Sequence, residues 1–144
     1  MPAGSNAGDA ITVDRYSLSV DGVEIAQFSE LVGITSESEP TDIAGSILKK
    51  LPGKQTSAVV LRRALTADLH MSAWHEAALE GPTLDSRKSA TVVMFDTAGR
   101  PVARFELEYA WPSKIEFGSL KSGTNDVLSE TVTFAFKKLR RVAP

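Results

Sequence analysis

The stretch YAWPSKIEFGSL, residues 109–120, interrupts a strand pattern in its middle. Alternating residues run up to Tyr109, Trp111 and Pro112 follow, and a new strand-like run begins at Lys114. Proline lacks the N–H that a sheet ladder needs, so a central strand cannot pass through Pro112 undisturbed. The sequence therefore predicts a corner here, at which proline ends the ladder and redirects the chain while the buried indole anchors the turn.

Apolar and polar residues alternate with a period of two through most of the chain, which is typical of strands with one wet face. Asp21-Gly22, between two such runs, is a hairpin signal. Strands are predicted at residues 15–20, 23–28, 31–39, 57–65, 89–95, 102–111 and 127–139. The predicted fold class is mainly β, with about seven strands in a small antiparallel β-barrel or sandwich and one flanking α-helix.

The predicted helix covers residues 66–79, TADLHMSAWHEAAL. Thr66 suits the N-cap, Asp68 suits the first turn, and Gly81-Pro82 end the pattern. Four residues at helical spacing form one apolar stripe that is expected to pack against the sheet: Ala67, Met71, Trp74 and Ala78.

The composition is that of an ordinary globular domain, with 144 residues of which 42% are hydrophobic and 24% charged. Residues 1–144 are predicted to form a single domain, with a flexible N-terminal arm at 1–13 and a long assembly loop at 40–56. The absence of cysteine excludes disulfides and suits a protein made in a reducing cytosol. A net charge of -2 argues against a dedicated nucleic-acid binder. We recognise neither a secretory signal nor a membrane-spanning segment.

The motifs provide no catalytic, metal or cofactor constellation. His70 and His75 have the wrong spacing for a zinc pair on one helix, which requires i and i+4. The run at 45–56 fails the G-x-x-x-x-G-K-[ST] phosphate-loop pattern, and the acidic run at 36–42 is interpreted as the wet face of a strand. The basic run KKLRR, 137–141, is interpreted as a solvated or partner-contacting tail. The sequence thus predicts a protein that is not an enzyme.

Three stretches carry a family pattern: YSLSVDGVEIAQFSELVGITSESE, LPGKQTSAVVLRRALTADLHMSAWHEAAL and GRPVARFELEYAWPSKIEFGSLKSGTNDVLSETVTFAFKKL. Together they cover roughly residues 14–139. In this order and register they resemble the bacteriophage tail tube family, which includes inner tube proteins of contractile phage tails and of phage-like extracellular contractile injection systems. The chain departs from the usual pattern at Ile34, Ala64 and His75. These departures leave the family assignment intact and affect only the choice of subfamily.

The resemblance implies a structural subunit. Members adopt a small β-barrel with a flanking helix, join as six-fold rings and stack the rings into a hollow tube. A contractile sheath surrounds the tube, baseplate or spike and tube-terminator proteins meet its ends, and DNA or effector proteins pass along the lumen as cargo. The resemblance further implies no cofactor, no specific nucleic-acid recognition and no membrane insertion. It implies assembly in the cytoplasm of a bacterial host, as part of a phage tail or of a phage-like particle that leaves the cell.

Half-polar strands favour self-association, because unpaired strand edges recruit other chains. Candidate contacts between subunits or rings are the apolar residues of the long loop and the residues of the corner: Ile43, Ile47, Leu48, Leu51, Trp111 and Pro112. Candidate lumen-facing residues are polar residues of two predicted strands: Glu37, Glu39, Ser129, Thr131 and Thr133.

Several alternatives stay open at this point. One alternative is a monomeric β-barrel module that holds a small ligand, which predicts an apolar interior and closed sheet edges. Another is an enzyme of split-barrel type, which needs a cofactor-binding cluster. The corner fits an ordinary barrel as well as an interface, and the loop at 40–56 can fold back on its own domain. The sequence does not distinguish a phage tail from a bacteriocin-like device or an injection particle.

Overall fold

The computed structural model describes residues 8–37, 57–80, 88–123 and 125–144. These ranges contain eight strands and one helix: β1 Arg15–Val20, β2 Val23–Phe28, β3 Glu30–Thr35, β4 Ala58–Ala64, α1 His70–Glu80, β5 Lys88–Phe95, β6 Pro101–Ser122, β7 Asn125–Ala135 and β8 Lys138–Val142. Every strand pair is antiparallel. The predicted fold class, mainly β with one helix, is confirmed.

The strands form two sheets that share one long strand. Sheet A contains β2, β1, β5, the first half of β6 (residues 101–110) and β8. Sheet B contains the second half of β6 (residues 111–122), β7, β4 and β3. Ser29 makes a second connection, because it separates β2 in sheet A from β3 in sheet B and donates its N–H to the Arg62 carbonyl at 3.1 Å. The chain therefore passes between the sheets at two corners, and the sheets pack as a sandwich.

One apolar core lies between the inner faces of the sheets and α1. Its fully buried side chains come from both sheets: Leu18, Val59, Leu61, Val92, Val132 and Phe134. The Phe134 ring meets Phe28 edge-on at 6.3 Å between centroids and meets Trp74 of α1 at 5.9 Å. Trp74 thus attaches the helix to the sandwich, as its place in the apolar stripe predicts.

The predicted corner at Trp111-Pro112 exists, but the strand does not end there. β6 continues unbroken through 22 residues. A positive φ of 55° at Tyr109 and a bulge between Pro112 and Lys114 bend it, so that its first half pairs with β5 and β8 and its second half with β7. The prediction that proline ends the ladder is wrong because this half of β6 is an edge strand of sheet B, where a proline and a bulge are tolerated.

Two other strand boundaries differ from the predictions. The last predicted strand, 127–139, is two strands, since β7 ends at Ala135 and β8 returns the chain to pair with β6 in sheet A. The basic run 137–141 therefore lies mostly in β8 rather than in a tail. β3 ends at Thr35, and Glu37 is exposed beyond it, so the predicted strand at 31–39 is shorter than expected.

The helix begins later than the sequence predicts, at His70. Thr66 Oγ1 accepts a hydrogen bond from the Asp68 N–H, and Asp68 Oδ1 accepts one from the His70 N–H, each at 3.2 Å. The latter bond lowers the pKa of Asp68 below its ordinary value, because it stabilises the charged carboxylate. Asp68 rather than Thr66 satisfies the first helical N–H. Ala67 lies outside the helix, whereas Met71 is buried as predicted.

Parts of the predicted organisation lie outside the described residues, namely the loop at 40–56, most of the N-terminal arm and the helix end at Gly81-Pro82. Within the arm, Val13 already packs against the core. In the described ranges, no helix has the length and hydropathy to cross a membrane.

Candidate assembly surfaces

The two histidines, which are the residues best suited to acid–base or metal chemistry, contribute to local structure. His70 Nδ1 lies 2.6 Å from Asp68 Oδ1, and His75 Nδ1 lies 2.8 Å from the Pro112 carbonyl oxygen. Across 8–37, 57–80, 88–123 and 125–144, no three His, Cys, Asp or Glu side chains group so as to hold a metal ion. The sheet surfaces carry the more informative arrangements.

Sheet B turns one side away from the core, and we call it the outer face of sheet B. A row of polar residues crosses all four strands there, with Glu30, Arg62, Thr131 and Glu116 side by side in register. Arg62 Nη1 lies 3.3 Å from Glu30 Oε1, and Arg62 Nε donates to Thr131 Oγ1 at 3.0 Å. A row of mutually bonded polar side chains is typical of a sheet surface in water.

The neighbouring rows complete a surface whose positive and negative charges balance. Thr133 stands opposite Lys114, whose Nζ lies 3.5 Å from Glu116 Oε2. On the other side Ser129 faces Gly118, where an added Cβ would stand 3.4 Å from the Ser129 Oγ. The two cations and two carboxylates of these rows are paired with each other, so their charges cancel.

Three residues predicted to face a lumen, Ser129, Thr131 and Thr133, lie on this outer face. Within one chain Ser129 is 7% and Thr131 9% exposed, and Thr131 is covered by Arg62. The accessible surface is formed largely by longer side chains that are absent from the predicted lumen-facing set: Glu30, Arg62, Lys114 and Glu116. Strand alternation alone could not identify them, because their common face depends on which strands are neighbours.

The two corner residues differ in exposure. Pro112 is less than 2% exposed, stands opposite Phe134 and accepts the His75 hydrogen bond through its carbonyl. Its side chain is therefore held inside its own subunit and presents no surface to a second copy. Trp111, opposite Ala135, is partly exposed and keeps surface for the predicted contact.

The β6–β7 hairpin carries apolar side chains beyond the end of the core. Phe117 is 59% and Leu128 56% exposed, although both lie on the core-facing side of sheet B. Leu65, 38% exposed, joins them, since its N–H donates to the Leu128 carbonyl at 2.8 Å. We call Leu65, Phe117 and Leu128 the hairpin patch. Adjacent exposed apolar side chains of this kind mark contact sites for other chains.

A buried ion pair borders the hairpin patch. Arg63 Nε donates to Glu130 Oε1 at 2.7 Å, and the two side chains are 8% and 1% exposed. The Arg63 guanidinium lies 5.1 Å from the centroid of the Phe28 ring, and its Nη2 lies 3.8 Å from Asp68 Oδ2. The sequence does not reveal this pair, because one arginine of the Arg62-Arg63 dipeptide points outward and the other inward.

Strand edges remain available in the part of the chain that the structure describes. Sheet B ends at β3 on one side and at the second half of β6 on the other, and sheet A ends at β2 and β8. Edge strands present backbone N–H and C=O groups that can pair with another chain.

Other predicted site residues cannot be placed on these surfaces. Ile43, Ile47, Leu48 and Leu51 lie outside the described residues, as does Glu39. Their predicted contacts with another ring, and the lumen position predicted for Glu39, stay predictions.

Solved structures with the same fold include tube proteins of contractile systems. A chain of the PVC extracellular contractile injection system, from the sheath-tube complex in its extended state, has a TM-score of 0.62 at 19% identity, with 96% of this chain and 95% of that chain covered. A chain of the PVC sheath/tube terminator has a TM-score of 0.64 at 18% identity, covering 96% and 100%. Hcp1 from Flavobacterium johnsoniae has a TM-score of 0.55 at 14% identity, covering 90% and 95%.

No curated protein matches this sequence. The family pattern described as T4-like virus tail tube protein gp19 matches residues 14–140. This range begins just before β1 and extends into β8, so it includes both sheets, the helix and the surfaces described above. The chain therefore belongs to the T4-like virus tail tube protein gp19 family, which confirms the resemblance.

Proposed function

We propose that this chain is the repeating subunit of the hollow inner tube of a contractile particle, and that the outer face of sheet B lines the lumen. Family membership supports the tube subunit. The observation that supports the lumen position is the four-strand row of Glu30, Arg62, Thr131 and Glu116, a hydrated surface that needs no covering layer.

A luminal surface whose charged side chains are paired within each chain suits a conduit. Arg62 and Lys114 are the cations of the outer face, and each has a carboxylate neighbour within its own chain. Free basic groups would hold the phosphates of passing nucleic acid by counterion release, and free acids would hold basic proteins. Because the positive and negative side chains of this face neutralise each other, DNA or an effector protein can pass along the luminal surface without being retained.

The two edges of sheet B offer a way to close the ring. If β3 of one copy pairs with the second half of β6 of the next, each copy contributes four neighbouring strands to one continuous cylinder. Six copies would give about 24 strands, a circumference of about 115 Å and a backbone diameter of about 37 Å at ~4.8 Å between strands. Such a ring uses the edges that one chain leaves available.

The hairpin patch and Trp111 provide side-chain contacts for the same assembly. Phe117 and Leu128 lie beside one sheet B edge, so a neighbouring copy that pairs there also covers them. The apolar residues of the loop at 40–56 are proposed to contact the next ring. The remaining proposed partners are a sheath, a baseplate or spike and a tube terminator, with a non-enzymatic role throughout and assembly in the bacterial cytoplasm.

Cryo-electron microscopy of contractile particles from the native host tests this function. We expect a reconstruction in which the chain forms stacked rings of a narrow hollow tube, with Arg62 and Glu116 facing the lumen. Particles whose tube is built from another protein would contradict the proposal. Recovery of this chain only as a monomer with a bound small molecule would support a ligand-binding module instead.

A further inference from the structure

Tyr109 has a backbone conformation that large side chains rarely adopt. Its φ is 55°, in the left-handed region. It belongs to a β-bulge, in which Glu108 and Tyr109 of β6 stand opposite the single residue Ser89 of β5. A left-handed position usually belongs to glycine, because the Cβ of a larger residue comes too close to the following carbonyl oxygen.

The cost of this conformation is not explained by contacts inside the chain. The other described residues with positive φ are one aspartate and three glycines, which tolerate it: Asp21, Gly22, Gly99 and Gly123. The Tyr109 ring is 46% exposed and meets Lys137, whose Nζ lies 5.4 Å from the ring centroid. An exposed cation–π contact of this kind offsets only part of the backbone strain. A strained residue with an exposed ring therefore indicates a use of that ring outside the single chain.

Tyr109 lies on one side of the sandwich, where β6 leaves sheet A for sheet B. The link from β7 to β8 passes beside it, since the Lys137 N–H donates to the Glu108 carbonyl at 2.9 Å. The same side presents two sheet edges, β8 and the second half of β6. We call it the basic side, because residues 137–141 contain four exposed basic residues and no acidic one: Lys137, Lys138, Arg140 and Arg141.

The opposite side of the sandwich has the complementary charge. It is formed by the edge strands β2 and β3, which Ser29 connects. We call it the acidic side, because residues 21–37 contain four exposed acidic residues and no basic one: Asp21, Glu24, Glu30 and Glu37. Glu30 and Lys138 each have an ion-pair partner in their own chain, and the two sides have opposite net charges even without them.

The acidic side also exposes apolar side chains. Val23 of β2 is 63% exposed and Val32 of β3 is 52% exposed. Val32 lies outside the pairing of β3 with β4, since the register shifts between Leu31 and Gly33. An aromatic ring from another chain can pack against these valines at the sheet edges.

We infer that Tyr109 and the basic side of one copy bind the acidic side, residues 21–37, of the next copy. This inference rests on the proposed function, since these two sides face each other when β3 of one copy pairs with the second half of β6 of the next. Opposite net charges favour this head-to-tail contact and disfavour contacts between like sides. The Tyr109 ring is the anchor of the contact, and Val23 and Val32 are the exposed apolar side chains that can cover it.

Photocrosslinking tests the partner of Tyr109 directly. The full-length chain carries p-benzoylphenylalanine in place of Tyr109, which keeps an aromatic ring at this position, and is expressed with the wild-type chain in the native host so that tubes form. After irradiation of whole particles, we expect a covalent dimer whose crosslink, mapped by mass spectrometry, joins position 109 of one copy to residues 21–37 of another. Absence of a crosslink, or a crosslink to another segment or another protein, overturns the inference.

Tyr109→Asn and Tyr109→Phe form a matched pair of substitutions. Asparagine tolerates positive φ but lacks the ring, whereas phenylalanine keeps both the strain and the ring. We expect the number of tubes in electron micrographs to fall at least tenfold for Tyr109→Asn, as for truncation of an interface anchor, and to stay near wild type for Tyr109→Phe. The urea midpoint of the Tyr109→Asn subunit should remain near wild type, because relief of strain offsets the lost packing of the ring.

Equal numbers of tubes for the two variants would overturn the role of the ring. If Tyr109→Asn prevents folding, the crosslink decides, since that experiment keeps an aromatic side chain at position 109. Absence of tubes with the wild-type chain would instead contradict the proposed function.

Discussion

Replacing Arg63 with methionine is expected to lower the free energy of unfolding of the subunit by about 3–5 kcal/mol. The substitution leaves Glu130 charged in a position where its side chain is 1% exposed. An uncompensated charge of this kind costs far more than the ion pair itself contributes, because neither water nor another cation replaces the lost guanidinium. Urea denaturation of the full-length chain, read as the shift in midpoint at constant slope, measures the change.

Arg62 is the natural control for Arg63, because it precedes it in β4 and points to the opposite face. Its ion pair with Glu30 joins side chains that are 34% and 55% exposed, so Arg62→Met should cost about 1 kcal/mol or less. Removing both buried charges, with Arg63→Met and Glu130→Leu, should recover most of the stability lost in Arg63→Met alone. Equal and small losses for the two arginines would contradict the assignment of a buried pair.

Glutamate at both Phe117 and Leu128 is expected to abolish tube formation while the subunit still folds. Both side chains are more than half exposed in the single chain, so their replacement removes little of its core. The new carboxylate at 117 stands opposite Glu130, and the repulsion should keep the total loss in the free energy of unfolding at about 1–2 kcal/mol. In the tube the same side chains are proposed to lie against a second copy, where two buried carboxylates without partners would prevent association. Counting tubes by electron microscopy gives the readout, and circular dichroism reports the fold.

The conservative replacement Phe117→Leu separates apolar contact from other effects of mutation at the hairpin. It keeps an apolar surface of similar extent, so tubes should form at near wild-type yield. Tubes at wild-type yield in the double glutamate variant would show that the hairpin patch meets only solvent. Unfolding of that variant would show that the patch is part of the core of its own subunit.

Local signals in the sequence were sufficient for most strands and for the fold class. The Asp21-Gly22 hairpin and the alternation in β1, β2, β4 and β5 depend on neighbouring residues only, so the sequence specifies these elements directly. The corner at Trp111-Pro112 was correctly located, because proline and an adjacent indole change backbone preference at one point. The prediction that the strand ends at this corner is wrong, since an edge position and a bulge let the strand continue through it.

Features that depend on distant pairing were not predictable from the sequence. The row from Glu30 to Glu116 joins four strands that are far apart in the chain, and only their order in sheet B brings it together. The sequence predicts one strand where the structure has β7 and β8, because Ala135, Phe136 and Lys137 do not interrupt the apolar pattern. The buried Arg63 could not be distinguished from its exposed neighbour Arg62, because one residue of register decides which arginine points inward.

Cysteine labelling of assembled tubes tests the central claim, that sheet B faces the lumen and sheet A the outside. The chain has no cysteine, so single substitutions give unambiguous labels. Thr133 on the outer face of sheet B and Thr91 on the side of sheet A that points away from the core are both half-buried, which makes Thr133→Cys and Thr91→Cys a matched pair. The two probes are a small maleimide and a maleimide coupled to a protein wider than the lumen, applied to tubes without their surrounding layer.

In unassembled subunits, both cysteines should react with both probes. In tubes, we predict that Thr133→Cys reacts with the small maleimide alone, whereas Thr91→Cys reacts with both. Reaction of Thr133→Cys in tubes with the protein-coupled maleimide, together with protection of Thr91→Cys, would place sheet A at the lumen and contradict the account.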